Sequence, residues 1–425
     1  MSLAPTDLIR PDSPAMDDRE VTPSESLLKH IFGQSQPTSI SIILQNLEKC
    51  VFKAELPGPV PGNTQPCVVR LEADIEEPSG LAMVAAMQEI AGTCIPGLVP
   101  RTLQVGTAAD AGGRQFQFSV VEFVQGHTLE EVWDGMDDDN RRSFVADLAE
   151  ALKKLHSVRL SDDIVQTILR QTIDAREEGN GILDAALGGP STGFLHRGLD
   201  ILAVYMQKRK LRKPFCAIEL STKPMGVVVR SSFENLGSVV IPHTDMDQWV
   251  KDAVFCHNDL TPRNLILRES STVRGTPRYE LTAIIDWELA GFYPPSYEIS
   301  LQDTYLSGGN RCISFYSLLK QRMLELVPPP DQSSPQVTLL RAMELVFESQ
   351  KRMLWESNNI PAHIRQRFKE KLRLRRDANP YLGWTQDTRD GPPLDFSRDD
   401  AQRLEDEMIA EVMARREAKR GAPRP

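Results

Sequence analysis

Chemistry is first suggested by the stretch His257-Asn258-Asp259-Leu260-Thr261-Pro262-Arg263-Asn264, which reads His-x-Asp-x-x-x-x-Asn and leads into the apolar run Leu265-Ile266-Leu267. A second apolar run, Leu281 to Ile285, ends on Asp286-Trp287-Glu288. Between them, Arg268 to Arg278 holds Ser270, Ser271, Gly275 and Pro277, residues that favour turns. Two short apolar runs joined in this way predict an antiparallel hairpin. In such a pair the start of one strand lies beside the end of the other, so Asn264 and Asp286 meet, with Asp259 in the loop just before. Oxygen-bearing side chains converging at one end of a hairpin can hold a hard cation and a phosphate. The plainer reading is that Asp259 and Asn264 cap a loop. A His-x-Asp-x-x-x-x-Asn match alone arises by chance in roughly a few per cent of chains this long. The hairpin and its acidic end, following in the right order, favour nucleotide-type chemistry.

The elements that must position these residues follow from the pattern of the chain. Residues 1–24 are polar and proline-containing, which predicts a disordered tail. Residues 25–125 read as a β-rich lobe. It holds a short helix at Ser24–Gly33, strands at Ile40–Leu44, Lys49–Ala54, Cys67–Leu71 and Phe116–Val124, and one helix at Leu81–Ala91. Beyond Gly126 the pattern becomes helical. Phe144, Leu148, Leu152 and Leu155 recur at spacings of four, four and three, one face of a helix. Residues 126–390 thus read as a helical lobe carrying the hairpin. Further helices are expected at 162–178, 198–212, 339–356 and 361–376, with one strand at 226–230. Residues 391–425 form a C-terminal helix and tail, with a capping pattern at Ser397-Arg398-Asp399-Asp400 ahead of Leu404, Met408 and Val412. The fold class expected is α+β. No internal repeat is visible.

The 425 residues, 40% hydrophobic and 25% charged, have the composition of a globular protein. A net charge of −10 argues against nucleic acid as the main partner. Six scattered cysteines without a C-x-x-C pair read as reduced, buried thiols and set zinc aside. The N-terminus has no apolar signal segment, and no run reaches the ~18–20 apolar residues of a membrane span. The expectation is a soluble, cytoplasmic protein with no membrane partner.

Cys256–Asn264 and Ile285–Gly291 resemble the two signatures of the aminoglycoside phosphotransferase family, and Tyr293-Pro294-Pro295 resembles the aromatic-proline segment of its fungal members. The resemblance covers residues 38 to about 305. It implies a bilobal protein-kinase-like fold, with a small β-rich N-lobe and a large mainly helical C-lobe. It also implies transfer of the γ-phosphate of ATP, with magnesium, to a hydroxyl of a small molecule. By this resemblance Asp259 is the catalytic base and His257 braces its loop. Asn264 and Asp286 hold magnesium, and Glu288 touches a metal or fixes the loop. Arg70 stands where the family carries its phosphate-pairing lysine, with Glu89 as its acidic partner. The backbone at Glu122 and Phe123 takes the adenine. Such a site works by positioning and charge neutralisation.

Two departures from the family pattern stand out. Arginine replaces lysine at position 70, a swap that keeps the charge but not the shape. No glycine lies between Gly33 and Gly58, and Gln45-Asn46-Leu47-Glu48 occupies the turn where glycines would let backbone N–H groups approach phosphates. A catalytically weak or silent kinase-like binding module is therefore the second expectation. A protein kinase is disfavoured by Asp286-Trp287-Glu288 and the missing Gly-x-Gly-x-x-Gly. The basic clusters Lys208–Lys213 and Lys369–Arg376 are expected to be solvated helix ends. The acceptor has no recognisable signature, and no protein partner is indicated.

Overall fold

The structure, a computed structural model, describes residues 20–58, 64–73, 80–173, 180–208, 211, 213–273, 276–327, 334–387 and 395–421. Most of the expected tail and part of the 208–213 basic cluster lie outside them. The chain forms two compact units, Met1–Leu81 with Thr102–Phe123, and Ala82–Arg101 with Val124–Pro425.

The first unit opens with helix α1 (Glu25–Phe32), capped by Ser24 and stopped by Gly33 at φ 57°. Strands β1 (Ser39–Gln45), β2 (Lys49–Pro57) and β3 (Thr64–Ala73) come next. Helix α2 (Gly80–Cys94) intervenes in the sequence before β4 (Thr102–Ala109) and β5 (Gln115–Glu122). The five strands make one antiparallel sheet ordered β1-β2-β3-β5-β4. Every second residue faces the core: Cys50, Phe52 and Ala54; Cys67, Val69 and Leu71; Phe116, Phe118 and Val120. The sequence pattern did not reveal β4, because its largest apolar residue, Leu103, is 51% exposed.

Helix α2 packs in the second unit, where Met83, Met87 and Ile90 join Trp133, Phe144 and Leu148 in one core. This unit continues with β6 (His127–Thr128), α3 (Leu129–Val132) and α4 (Asp138–Leu155), whose expected apolar face is buried. Then come α5 (Asp163–Ile173), α6 (Asn180–Leu183), β7 (Leu187–Gly189), β8 (Gly193–Leu195) and α7 (Gly198–Lys208). Residues 216–242 form a sheet of β9 (Cys216–Thr222), β10 (Met225–Ser231) and β11 (Ser238–Pro242), where one strand was expected. Helix α8 (His243–Lys251) and β12 (Val254–Cys256) lead to the hairpin of β13 (Leu265–Val273) and β14 (Thr276–Ile284). After β15 (Gly291–Tyr293) the helices α9 (Pro295–Tyr305), α10 (Ile313–Met323), α11 (Pro335–Glu356) and α12 (Ile360–Lys371) enclose the unit. The pair β16 (Leu374–Arg376) and β17 (Trp384–Gln386) and the helix α13 (Arg398–Gly421) complete it. Helix α13 starts where the capping pattern expected it, and its Leu404 and Met408 pack with Phe368 and Leu372. The α+β class is as expected, with a sheet-rich N-terminal region and a helical C-terminal part. Among the described residues no helix is long and apolar enough to cross a membrane.

One expectation fails at 361–376. The helix stops at Lys371, Arg373 turns left-handed at φ 51°, and Leu374–Arg376 becomes a strand. Of the cations in this basic cluster, Lys371, Arg373 and Arg375 are exposed as expected, whereas Lys369 and Arg376 are not solvated. Arg376 bonds Asp303 and Glu344, each at 2.7 Å, and the Lys369 ammonium lies 3.9 Å from the centre of the Trp384 ring. Beyond the helix end, Arg376 turns inward onto the buried Asp303 carboxylate and the half-buried Glu344.

Candidate active site

The expected hairpin is present: Leu265 pairs with Ile284 and the ladder runs to Val273 opposite Thr276. It is fixed at its base, where the Ile285 N–H donates to the Asn264 carbonyl at 2.9 Å. Strand β6 adds to the other edge of β13, with Thr128 opposite Ile266. Gly126 permits this approach, since a Cβ there would collide with the Leu267 carbonyl oxygen and stand 2.8 Å from Ile266 Cγ2. The loop between β12 and β13 carries the chemical residues. Cys256 pairs with Gly291 on β15, and the chain then turns through Asn258 at φ 66°, a conformation that asparagine tolerates.

His257 is fully buried and both ring nitrogens are engaged. The Asp259 N–H can only donate, so Nδ1 accepts from it at 3.1 Å; the Ile285 carbonyl can only accept, so Nε2–H donates to it at 3.0 Å. This fixes a neutral tautomer. Burial lowers the His257 pKa in spite of the opposing pull of Asp259 and Glu298. The ring sits edge-on to Trp287 at 4.5 Å. His257 therefore ties the loop to the end of β14.

Asp259 is 3% exposed. Its Oδ2 accepts from Asn264 Nδ2 at 2.9 Å and lies 3.5 Å from Arg263 Nη2, whereas its Oδ1 has no partner. Asn264 Nδ2 also donates to the Asp259 carbonyl at 2.9 Å. The amide oxygen of Asn264 is thus the end left for another ligand. Asp286 follows directly at φ 67°, half-buried at the start of the turn Trp287–Leu289 that also carries the half-buried Glu288. The structure brings His257, Asp259, Asn264 and Asp286 together on one hairpin end. Asn264 and Asp286 offer hard oxygen donors, which fit magnesium.

Sequence reasoning missed the residue that holds this loop. Glu298, in the first turn of α9, is fully buried. Its Oε1 accepts the N–H groups of His257 and Asn258 at 2.7 and 2.8 Å, and its Oε2 accepts from His156 Nε2 at 2.8 Å. Burial alone would raise its carboxyl pKa, but His156 and the Asn258 N–H outweigh it and hold the group below the usual carboxylate range. Cys256 Sγ lies 3.9 Å from the same imidazole. His156, Cys256 and Glu298 place ligand atoms within 4.8 Å of one another, a spacing a metal ion could use. Both carboxylate oxygens are already committed, however, and burial keeps the Cys256 thiol protonated. The cluster is a brace.

The other expected residues stand on other elements. Arg70, on β3, bonds Glu72 through Nε at 2.7 Å, its neighbour two residues along the same strand face. Glu89 is exposed on α2, in the second unit. Glu122 pairs with Cys67, and the Phe123 N–H reaches the Pro66 carbonyl at 3.4 Å. In the turn between β1 and β2, Asn46 Oδ1 accepts the N–H groups of Glu48 and Lys49 at 2.9 and 2.8 Å. Two donors that could face a phosphate are thereby consumed within the turn.

A cavity of about 200 Å³ adjoins the loop, lined by Thr192, Tyr205, Asn258, Tyr297 and Tyr305 among others, all of them uncharged. Asn258 Oδ1 has no partner there, and the Tyr305 hydroxyl donates to the Asn258 carbonyl.

The model of the phosphotransferase enzyme family matches residues 60–190 and 243–302, which include the loop, Asp286 and Glu298. No curated protein matches the chain. Three solved structures are similar at low identity. A GDP complex of a point variant of aminoglycoside 2'-phosphotransferase-IIIa is 12% identical, covers 91% of this chain and 96% of its own, and has a TM-score of 0.38. The GDP complex of the wild-type enzyme is 13% identical, covers 91% and 99%, and also scores 0.38. Its complex with GDP and kanamycin is 14% identical, covers 90% and 97%, and scores 0.37.

Proposed function

We propose, from the match of residues 60–190 and 243–302 to the phosphotransferase enzyme family, that this chain transfers the γ-phosphate of ATP to a hydroxyl of an uncharged small molecule. The observation that carries this reading is the Asp259 carboxylate, with one oxygen fixed by Asn264 and the other unpartnered. A substrate hydroxyl can donate to that Oδ1, so Asp259 both orients the attacking oxygen and accepts its proton. His257 and Glu298 hold the loop in place while this occurs. Magnesium, held by Asn264 and Asp286 with Glu288 beside them, supplies charge neutralisation at the phosphates. Arg70, Glu89 and the backbone at Glu122 and Phe123 are the proposed nucleotide contacts.

The acceptor is read from the adjoining cavity. Its tyrosines and hydroxyls suit a neutral, hydroxyl-bearing ring and offer no carboxylate to a polycation. Cytoplasmic work fits the six unpaired thiols. A second reading, a weak or silent binding module, is favoured by the Asn46-bonded turn, which withholds two N–H groups from phosphate. Thermal unfolding with ATP and magnesium separates the two. A rise in Tm at millimolar nucleotide supports the enzyme, and no shift supports the silent module.

A further inference from the structure

The helical unit contains a second cavity, of about 280 Å³, lined by none of the residues of the candidate active site. Four cationic side chains line it, Lys351, Arg352, Arg365 and Lys369, and Glu348 is the sole carboxylate among its lining residues. We propose that this cavity binds a compact, phosphate-bearing anion.

Helices α11 and α12 carry these cations. Lys351 is 8% exposed and the Lys369 side chain 11% exposed, yet both depend on Glu348, at 2.8 and 3.7 Å. One carboxylate opposite two buried ammonium groups leaves a net positive charge, which the Phe347 ring 4.1 Å from Lys351 and the Trp384 ring 3.9 Å from Lys369 offset only in part. The charge states respond accordingly. Burial pushes the Lys351 ammonium well below its usual range, Glu348 recovers only part of this, and Lys369 and Arg365 push it further. Lys369 is lowered in the same way, first by burial and then by Arg365 and Arg376.

The guanidinium groups are held ready rather than left to wander. Arg352 packs 4.7 Å over the Phe233 ring and donates to Asn235 Oδ1 at 2.6 Å, with Glu356 at 3.5 Å on its Nε. Arg365 is pinned by the Thr304 and Leu306 carbonyls at 2.6 and 3.3 Å. Planar guanidinium forks beside point-charge ammoniums are the chemistry that recognises phosphate oxygens. Trp355, 46% exposed, supplies an aromatic wall for whatever carries the phosphate. Against a net charge of −10 for the whole chain, such a concentration of cations is local and specific.

The probe is pyrophosphate, titrated without magnesium into the full chain and read by calorimetry and by Trp355 fluorescence. The expected result is saturable one-site binding that weakens at least about tenfold in Lys369→Gln and in Arg352→Gln. Arg352→Gln is the safer of the two for folding, since the Arg352 side chain is 41% exposed. Trp355→Phe should abolish the fluorescence change and keep the heat, and Asp286→Asn should leave the affinity unchanged. Absence of saturable binding at about 10 mM probe would overturn the proposal. So would binding that survives undiminished in the Lys369→Gln, Arg352→Gln double variant.

Discussion

Glu298→Gln is the substitution that probes the catalytic loop most sharply. Glu298 accepts three hydrogen bonds at 2.7–2.8 Å from a fully buried carboxylate. Glutamine has nearly the same shape but no charge, and charge-assisted bonds are roughly twice as strong as neutral ones. At about 1 kcal/mol lost per bond, the variant should be about 3 kcal/mol less stable. The glutamine NH2 would also face His156 Nε2 and drive its proton to Nδ1, which is buried with no partner. Glu298→Ala orphans two N–H groups outright and should cost about 3–5 kcal/mol. Urea unfolding checks this as a lower midpoint at unchanged slope. Turnover adds a second reading, because a loop displaced by about 1 Å loses on the order of 100-fold in rate. The sign of the pH effect follows from the depressed carboxyl. Its stabilisation is present above the unfolded-state value and is lost as pH falls through the folded one. The gap between wild type and Glu298→Gln should therefore shrink below the usual carboxylate range. A glutamine variant within ~0.5 kcal/mol of wild type, with full turnover, would refute the account of this loop.

Two other perturbations follow from the same physics. Asp303 is buried among Lys320 at 3.1 Å, Arg376 at 2.7 Å and the Tyr316 hydroxyl at 2.5 Å. Asp303→Asn leaves the buried Lys320 ammonium without its counter-charge and should cost about 3–5 kcal/mol in chemical denaturation; a loss under ~1 kcal/mol would mean another group balances it. Asn46→Ala releases the N–H groups of Glu48 and Lys49, costs about 1 kcal/mol of stability, and should tighten magnesium-ATP binding severalfold by calorimetry. Unchanged affinity would show that this turn is not what limits nucleotide binding.

The hairpin was legible in the sequence because its evidence is local. Two apolar runs, a turn composition and the acids at fixed offsets all lie within 32 residues, 257–288. Glu298 was not legible, since an acid in the first turn of a helix is what the helix dipole favours anyway. Only the fold reveals that it points back onto a loop 40 residues earlier. Two of the three strands of 216–242, β9 and β11, escaped for a different reason. Leu220 of β9 is 88% exposed, so apolar alternation does not track burial there. Within the basic run at 369–376, Arg376 was misread because local pattern favours solvated cations, whereas Asp303 and Glu344, far away in sequence, draw it inward.

The central claim is that Asp259 is the base of a phosphoryl transfer. Its most direct test compares wild type and Asp259→Asn for transfer of the γ-phosphate of ATP to a panel of uncharged hydroxylated compounds. The account predicts that wild type turns over at least one of them. It predicts that Asp259→Asn binds magnesium-ATP equally well but loses on the order of 10²–10⁴ in rate. Equal turnover in the two proteins would contradict it.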